Sequence, residues 1–334
     1  ELEFDGFVVS DATGFFEEGQ DFSERSLSAA KAGIDLFMLT NSELWEAFHP
    51  AMIAHLENGD LSIDRVDDAV RRILRIKLRH GLFEHPYADR WLTENGALGA
   101  SQHREVARKL ARESLVLLQN KQGLIPLSKD AKIGVTGPSA NDVGLQCGGW
   151  TYQWGGVTMP ESEILSGVSV LEGIRSHLEP TGGEVVYEPL WGDLPAKLDV
   201  VVYALGEEPY AEWFGDSENP SIPLEDIEAI ESLQRQLEIP VVVVVLSGRP
   251  LSAGTAPLEW EGLVFAGLPG TEGGLALADC LFGEAPFTGR LTHSWPVSAE
   301  DLPTNAGNTD DSPLFDFGSG LQTIQKSHRR GNPG

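Results

Sequence analysis

The chain has 334 residues, 41% of them hydrophobic, which is enough for one large or two medium packed domains. Its 51 acidic and 24 basic residues leave a formal charge of -27. That excess reads as a solvated acidic surface rather than an adaptation to high salt. It repels nucleic acid and anionic lipid, so neither is expected as a partner. No apolar run approaches membrane-spanning length. Cys147 and Cys280 have no metal spacing and make no disulfide framework. The eight histidines contain no H-x-x-x-H pair, so neither a metal nor a cofactor is expected.

The chain starts at Glu1-Leu2-Glu3, without the charged and apolar regions of a signal peptide. It reaches Gly6-Phe7-Val8-Val9-Ser10-Asp11 almost at once, which predicts a strand over about Phe7–Ser10 with an aspartate at its end. A start of this kind is expected of a piece of a longer chain. Ile34 to Leu39 predicts a second strand, so residues 1–83 read as two βα units. A helix is predicted from about Ser62 to His80, with Asp64, Asp67 and Asp68 early, Arg75, Lys77 and Arg79 late, and Gly81 placed to end it. Val66, Val70, Ile73 and Leu74 form its apolar face. Residues 84–100 lack periodicity and read as a linker.

A helix is predicted from about Ser101. Residues 101–325 then alternate helical stretches with apolar runs at Ile133–Val135, Glu184–Tyr187, Val200–Leu205, Val241–Leu246 and Leu263–Phe265. The unbroken Val241–Val245 run cannot present a polar face, so it is expected to be a central strand covered on both sides. The alternation predicts an α/β sandwich with a mainly parallel sheet and helices on each face. Residues 326–334 read as a disordered tail.

Chemistry-bearing residues gather where strands end. Past Val200–Leu205 comes Gly206-Glu207-Glu208-Pro209-Tyr210-Ala211-Glu212-Trp213-Phe214-Gly215-Asp216, with three glutamates among aromatics. Two carboxylates from separate strand ends suit a glycosidase pair, one attacking the anomeric carbon and one protonating the leaving oxygen. Read from the residues alone, Asp11 is better taken as an aspartate capping a loop after a strand. The acid could be Glu207, Glu208 or Glu212.

Several motifs in order resemble those of glycoside hydrolase family 3, in its exo-β-glucosidase and glucan glucohydrolase branch. They are Gly6–Asp11, Lys31–Met38, Asp67–Arg75, Gly148-Gly149-Trp150-Thr151-Tyr152-Gln153-Trp154, Gly206–Glu212, Leu246–Pro250, Leu268–Gly274 and Phe287–Leu291. Together they span nearly the whole chain. The resemblance implies that residues 1–83 are the last two βα units of a (β/α)8 barrel. Residues 84–100 would then be the interdomain linker before the sandwich domain. Six βα units would precede Asp11, carrying the residues that bind the nonreducing sugar's hydroxyls.

By the same resemblance Asp11 is the nucleophile, Glu212 the acid/base with Glu207 in reserve, and Trp150 a clamp on the substrate. Glu208 is expected to face solvent, with Tyr210 and Trp213 desolvating the acid. Trp154 is expected to be structural, and Arg249 to brace the interdomain interface. Two positions depart from the family pattern: Ala12 stands where a second clamp tryptophan is usual, and Glu17-Glu18 replaces a basic residue.

The implied activity is retaining hydrolysis of terminal β-D-glucosyl residues from oligosaccharides or β-glucans by a secreted or periplasmic protein. A β-xylosidase, a β-N-acetylhexosaminidase and a non-catalytic carbohydrate-binding fragment are the rival readings. A nucleotide site is rejected, because Gly267-Leu268-Pro269-Gly270 lacks the lysine and hydroxyl of a P-loop.

Overall fold

The computed structural model describes residues 4–11, 21–90, 94–158, 166–195, 197–236, 238–307 and 312–323. Ala12, Glu17-Glu18 and the expected tail at 326–334 lie outside them. The chain divides into two compact units, Glu1–Leu98 and Gly99–Gly334. Among the described residues no helix is long and apolar enough to cross a membrane.

In the first unit the two expected strands shrink to one parallel bridge, Val9 with Leu36. The Ser10 amide donates to Leu36 (2.9 Å) and the Asp35 amide to Val8 (2.9 Å). Asp35 adds a side-chain link, accepting from the Val8 amide at 2.8 Å and from Arg65 at 2.7 Å. The Ser10 hydroxyl accepts from the Met38 amide at 2.9 Å. Around this bridge Val8, Val9, Leu36 and Met38 present exposed apolar side chains.

The described residues of this unit include the helices α1 (Phe22–Ala32), α2 (Ser42–Glu57) and α3 (Ile63–Arg79). Helix α3 runs where the sequence predicts it, capped by Ser62. It ends in two nested hydrogen bonds, the Leu82 amide donating to the Lys77 carbonyl and the Gly81 amide to the Leu78 carbonyl. None of its residues is buried, and the expected apolar face leaves Val70 and Leu74 exposed.

The second unit is a six-stranded sheet. Its strands are β1 (Val116–Asn120), β2 (Lys132–Thr136), β3 (Glu184–Tyr187), β4 (Val200–Gly206), β5 (Val241–Leu246) and β6 (Gly262–Gly267). They lie in the order β1-β6-β5-β4-β2-β3, with all pairs parallel except β1–β6. The helices are α4 (Ser101–Ser114), α5 (Val143–Cys147), α6 (Val170–Leu178), α7 (Leu224–Gln236) and α8 (Gly273–Leu281).

Every residue of β5 is buried. Val242, Val244 and Leu246 face the core under α6 and α8, while Val241, Val243 and Val245 face the core with Ile230 and Leu233 of α7. The period-2 alternation of a strand thus feeds two apolar layers at once, each fully buried side chain stabilising by about 1.5–3 kcal/mol. Trp260 and Trp295 close the α7 side, and the Trp295 indole donates to the Leu251 carbonyl at 3.0 Å.

Candidate active site

Asp11 follows the Val9 bridge and is exposed. Its neighbour Ser10 is buried, fixed by the Met38 amide. The acidic loop belongs to the second unit. Strand β4 delivers it, and the Glu207 amide still donates to Leu246 of β5 at 3.2 Å. Beyond that point the loop is tied by side chains.

Glu207 is the tie. Its Oε1 accepts from Arg249 Nη2 at 2.6 Å and Nε at 3.0 Å. Its Oε2 accepts from Ser247 Oγ at 2.5 Å and the Tyr210 hydroxyl at 3.3 Å. Arg249 also donates to the Gly215 carbonyl at 2.6 Å and lies 4.9 Å from the Tyr210 ring centre. Burial alone would lower the Arg249 pKa, but the hydrogen bonds and charge of Glu207 outweigh it and raise it. Burial and the Glu207 charge together raise that of Tyr210. Within the second unit Arg249 braces the two ends of this loop.

With Glu207 held, the loop projects Glu212 from a short 3-10 turn, Glu212–Gly215. Ala211 before it is buried, while Glu212 is exposed and has φ 52°. A glutamate in the left-handed region costs energy, and such residues gather at functional sites. Trp150 (φ 61°) and Tyr152 (φ 67°) share that conformation in the neighbouring loop. That loop presses closely on the acidic one: a Cβ on Gly149 would collide with the Tyr210 carbonyl. Tyr210, expected beside the acid, is instead turned to Glu207 and Arg249, and Glu208 is exposed.

The two loops together carry an aromatic shelf. Trp154 is its centre, 6.5 Å from Trp150, 5.6 Å from Trp213 and 5.2 Å from Phe214 between ring centres. The Trp150 amide donates to the Trp154 carbonyl at 2.9 Å. Trp150 is 70% exposed, Phe214 68% and Trp213 56%. Half-supported rings of this kind suit stacking against the C–H faces of a sugar. The sequence does not reveal the Glu207–Arg249–Ser247 tie. The adjacency of β4 and β5 is the signal that could have found it, since both loops leave the same sheet end.

One cluster among the described residues has the donor types of a metal site: His177, Asp279 and Glu284. It is already neutralised. Asp279 accepts from Arg108 Nε at 2.7 Å, Arg112 at 3.0 Å and His177 at 3.0 Å, and Lys129 pairs with Glu284. Burial works against the Asp279 charge, but His177 and Arg108 outweigh it and hold the carboxyl down at about 2. Burial likewise opposes charge on His177, and its carboxylate partners outweigh it, so its pKa is raised. The cluster binds α4 and α6 to α8. Burial pushes the Cys147 thiol up to about 11 and Cys280 to about 12, so neither is a thiolate nucleophile at neutral pH.

Comparison with known proteins matches both units. Residues 1–76 match the glycosyl hydrolase family 3 N terminal domain, and residues 115–323 match the family 3 C-terminal domain. A lysosomal beta glucosidase of Dictyostelium discoideum is 31% identical over 96% of this chain and 42% of its own length. A periplasmic beta-glucosidase of Salmonella typhimurium is 28% identical over 95% of this chain and 48% of its own. Among solved structures, a point mutant of an exo-1,3/1,4-beta-glucanase from a Pseudoalteromonas species is similar with a TM-score of 0.83. It is 36% identical, and the match covers 96% of this chain and 53% of that one. The chain thus spans about half the length of the curated relatives it matches. Matched along its length in both sequence and fold, the chain belongs to glycosyl hydrolase family 3.

Proposed function

We propose that the protein carrying this chain is an exo-acting β-glucosidase that removes terminal β-D-glucosyl residues from β-glucan oligosaccharides with retention of configuration. Asp11 attacks the anomeric carbon while Glu212 protonates the departing glycosidic oxygen. The resulting glycosyl ester on Asp11 is hydrolysed by a water that Glu212 deprotonates. Trp150 stacks on the sugar of the leaving group. The β-glucosidase and exo-glucanase names of the relatives support the glucosyl and β-linkage parts of this reading.

The observation that carries the choice of acid is the fixing of Glu207. A carboxylate bound by Arg249, Ser247 and Tyr210 holds a loop and is poorly placed to release and regain a proton each turnover. Glu212 stands exposed on the strained turn beside the aromatic shelf.

The test is kinetic, on the native protein. Glu212→Ala should cripple substrates with poor leaving groups by a factor of about 10²–10⁴, and lose far less on activated aryl glycosides in the glycosylation step. Azide should restore breakdown of the glycosyl-enzyme. Equal losses on both substrates, with azide rescue only in Glu207→Ala, would transfer the role to Glu207.

A further inference from the structure

A cleft of about 970 Å³ opens outside the carboxyl ends of β2 and β4. From β2 the chain crosses to β3 at the sheet edge, and from β4 it crosses the other way to β5. Adjacent strands whose connections leave in opposite directions part their loops and open a crevice. Helix α7 lies under the crossover from β4 and α6 under that from β2, on opposite faces.

Crevices of this kind commonly take phosphates on helix amides. Here that chemistry is closed off. Asp142 caps the helix after β2, its Oδ1 accepting from the Gly144 amide at 2.7 Å. Glu225 and Asp226 fill the first turn of α7, and the Tyr203 hydroxyl donates to Asp226 at 2.7 Å. Arg249 is the one basic side chain among the described lining residues, and its guanidinium is engaged by Glu207 and the Gly215 carbonyl. An anion would meet carboxylates and no uncommitted cation.

What remains on the walls is rings and acceptors. Trp191, Tyr210 and Phe214 supply aromatic faces, and Trp191 is anchored by packing one side on the α7 core. Glu208, Asp216 and Glu225 are exposed carboxylates around them. Stacking faces beside hydrogen-bond acceptors recognise a ligand with C–H faces and many hydroxyl donors. The volume is at the upper end of small-molecule sites, large enough for several sugar units.

We propose that this cleft is a binding site for a neutral oligosaccharide, built wholly from the second unit, with Trp191 as its stacking ring and Glu225 as a hydroxyl acceptor. That the oligosaccharide is a β-glucan rests on the function proposed above. A cleft of this kind holds the substrate polymer independently of turnover and raises its local concentration.

Titration calorimetry on the 334-residue chain tests this with β-1,3- and β-1,4-linked glucose hexasaccharides, a xylose hexasaccharide and pyrophosphate. Saturable binding of a glucose hexasaccharide is expected, weakened at least tenfold in Trp191→Ala and severalfold in Glu225→Gln, and unchanged in Asp67→Ala, an exposed position of the first unit. Circular dichroism checks that Trp191→Ala folds. Glu225 is exposed, so its variant keeps the test open if Trp191→Ala does not fold. Absence of saturable sugar binding overturns the proposal. So does binding lost in Trp150→Ala but kept in both cleft variants, or displacement of the sugar by pyrophosphate. Binding of the xylose hexasaccharide alone, through Trp191 and Glu225, upholds the cleft and contradicts the β-glucosidase reading.

Discussion

The two units carry one proposed catalytic carboxylate each, on very different supports. Asp11 sits beyond a single parallel bridge whose apolar side chains stay exposed, in a unit whose described residues bury a small cluster of Leu27, Ala30 and Leu61. Glu212 projects from a sheet with both faces covered and from a loop knotted by Glu207 and Arg249. The pattern of each segment is equally strand-like, so the difference lies in neighbours. Val243 is flanked by Tyr203 and Leu263, whereas Val9 has Leu36 on one side. A strand is stabilised by what pairs and packs with it, more than by its own residues.

Hydrogen exchange should separate the two units most widely. The Val243 amide should exchange about a thousandfold more slowly than those of Ser10 and Leu36, since local opening spans nearly zero to the global free energy. Comparable protection would mean the first unit has support beyond its single bridge. Next is Asp279→Asn, which strands Arg108, Arg112 and His177 around a buried neutral amide. It should cost about 3–5 kcal/mol in urea unfolding of the second unit. A loss under about 1 kcal/mol would show that the network does not hold α4 and α6 to α8.

Arg249→Ala should cost about 1.5–3 kcal/mol, from the charged hydrogen bonds to Glu207. It should also lower turnover by loosening the loop that presents Glu212. Stability unaffected but turnover abolished would give Arg249 a direct part in chemistry.

The pH dependence follows from Asp279 and His177. Asp279, held at about 2 against an ordinary 3.8, contributes stability above about pH 4 that is lost as pH falls toward 2. His177, raised above 6.5, contributes stability below that pH that is lost as pH rises through its folded value. Thermal melting should therefore peak between these limits, and the alkaline decline should vanish in His177→Gln. Smallest of all, Asp67→Ala removes an exposed pair with Arg71 and should change stability by about 0.5 kcal/mol or less.

Much of the second unit is legible in the sequence because its signals are local. Val241–Val245 names itself as a central strand, and Ser62, the early aspartates and Gly81 fix α3 in the first unit. Strand β1 is not: Val116–Asn120 follows α4 directly, and its antiparallel pairing with β6 depends on residues nearly 150 positions away. The strands predicted at Phe7–Ser10 and Ile34–Leu39 are longer than the bridge that forms, because an apolar run signals the capacity to pair and not the presence of partners. The motif picks out Glu212 and Trp150 but not their left-handed backbone. The Glu207–Arg249 tie is hidden for the same reason as β1, since it joins two strand ends that become neighbours only in the sheet.

The proposed chemistry requires a covalent bond between Asp11 and the sugar. Trapping the native protein with an activated 2-deoxy-2-fluoro-β-glucoside, whose glycosyl-enzyme breaks down slowly, and mapping the label by peptide mass spectrometry would show it. The expected result is one fluoroglucosyl group on the peptide containing Asp11, absent from Asp11→Ala. A label on any other carboxylate, or undiminished labelling of Asp11→Ala, would contradict the assignment.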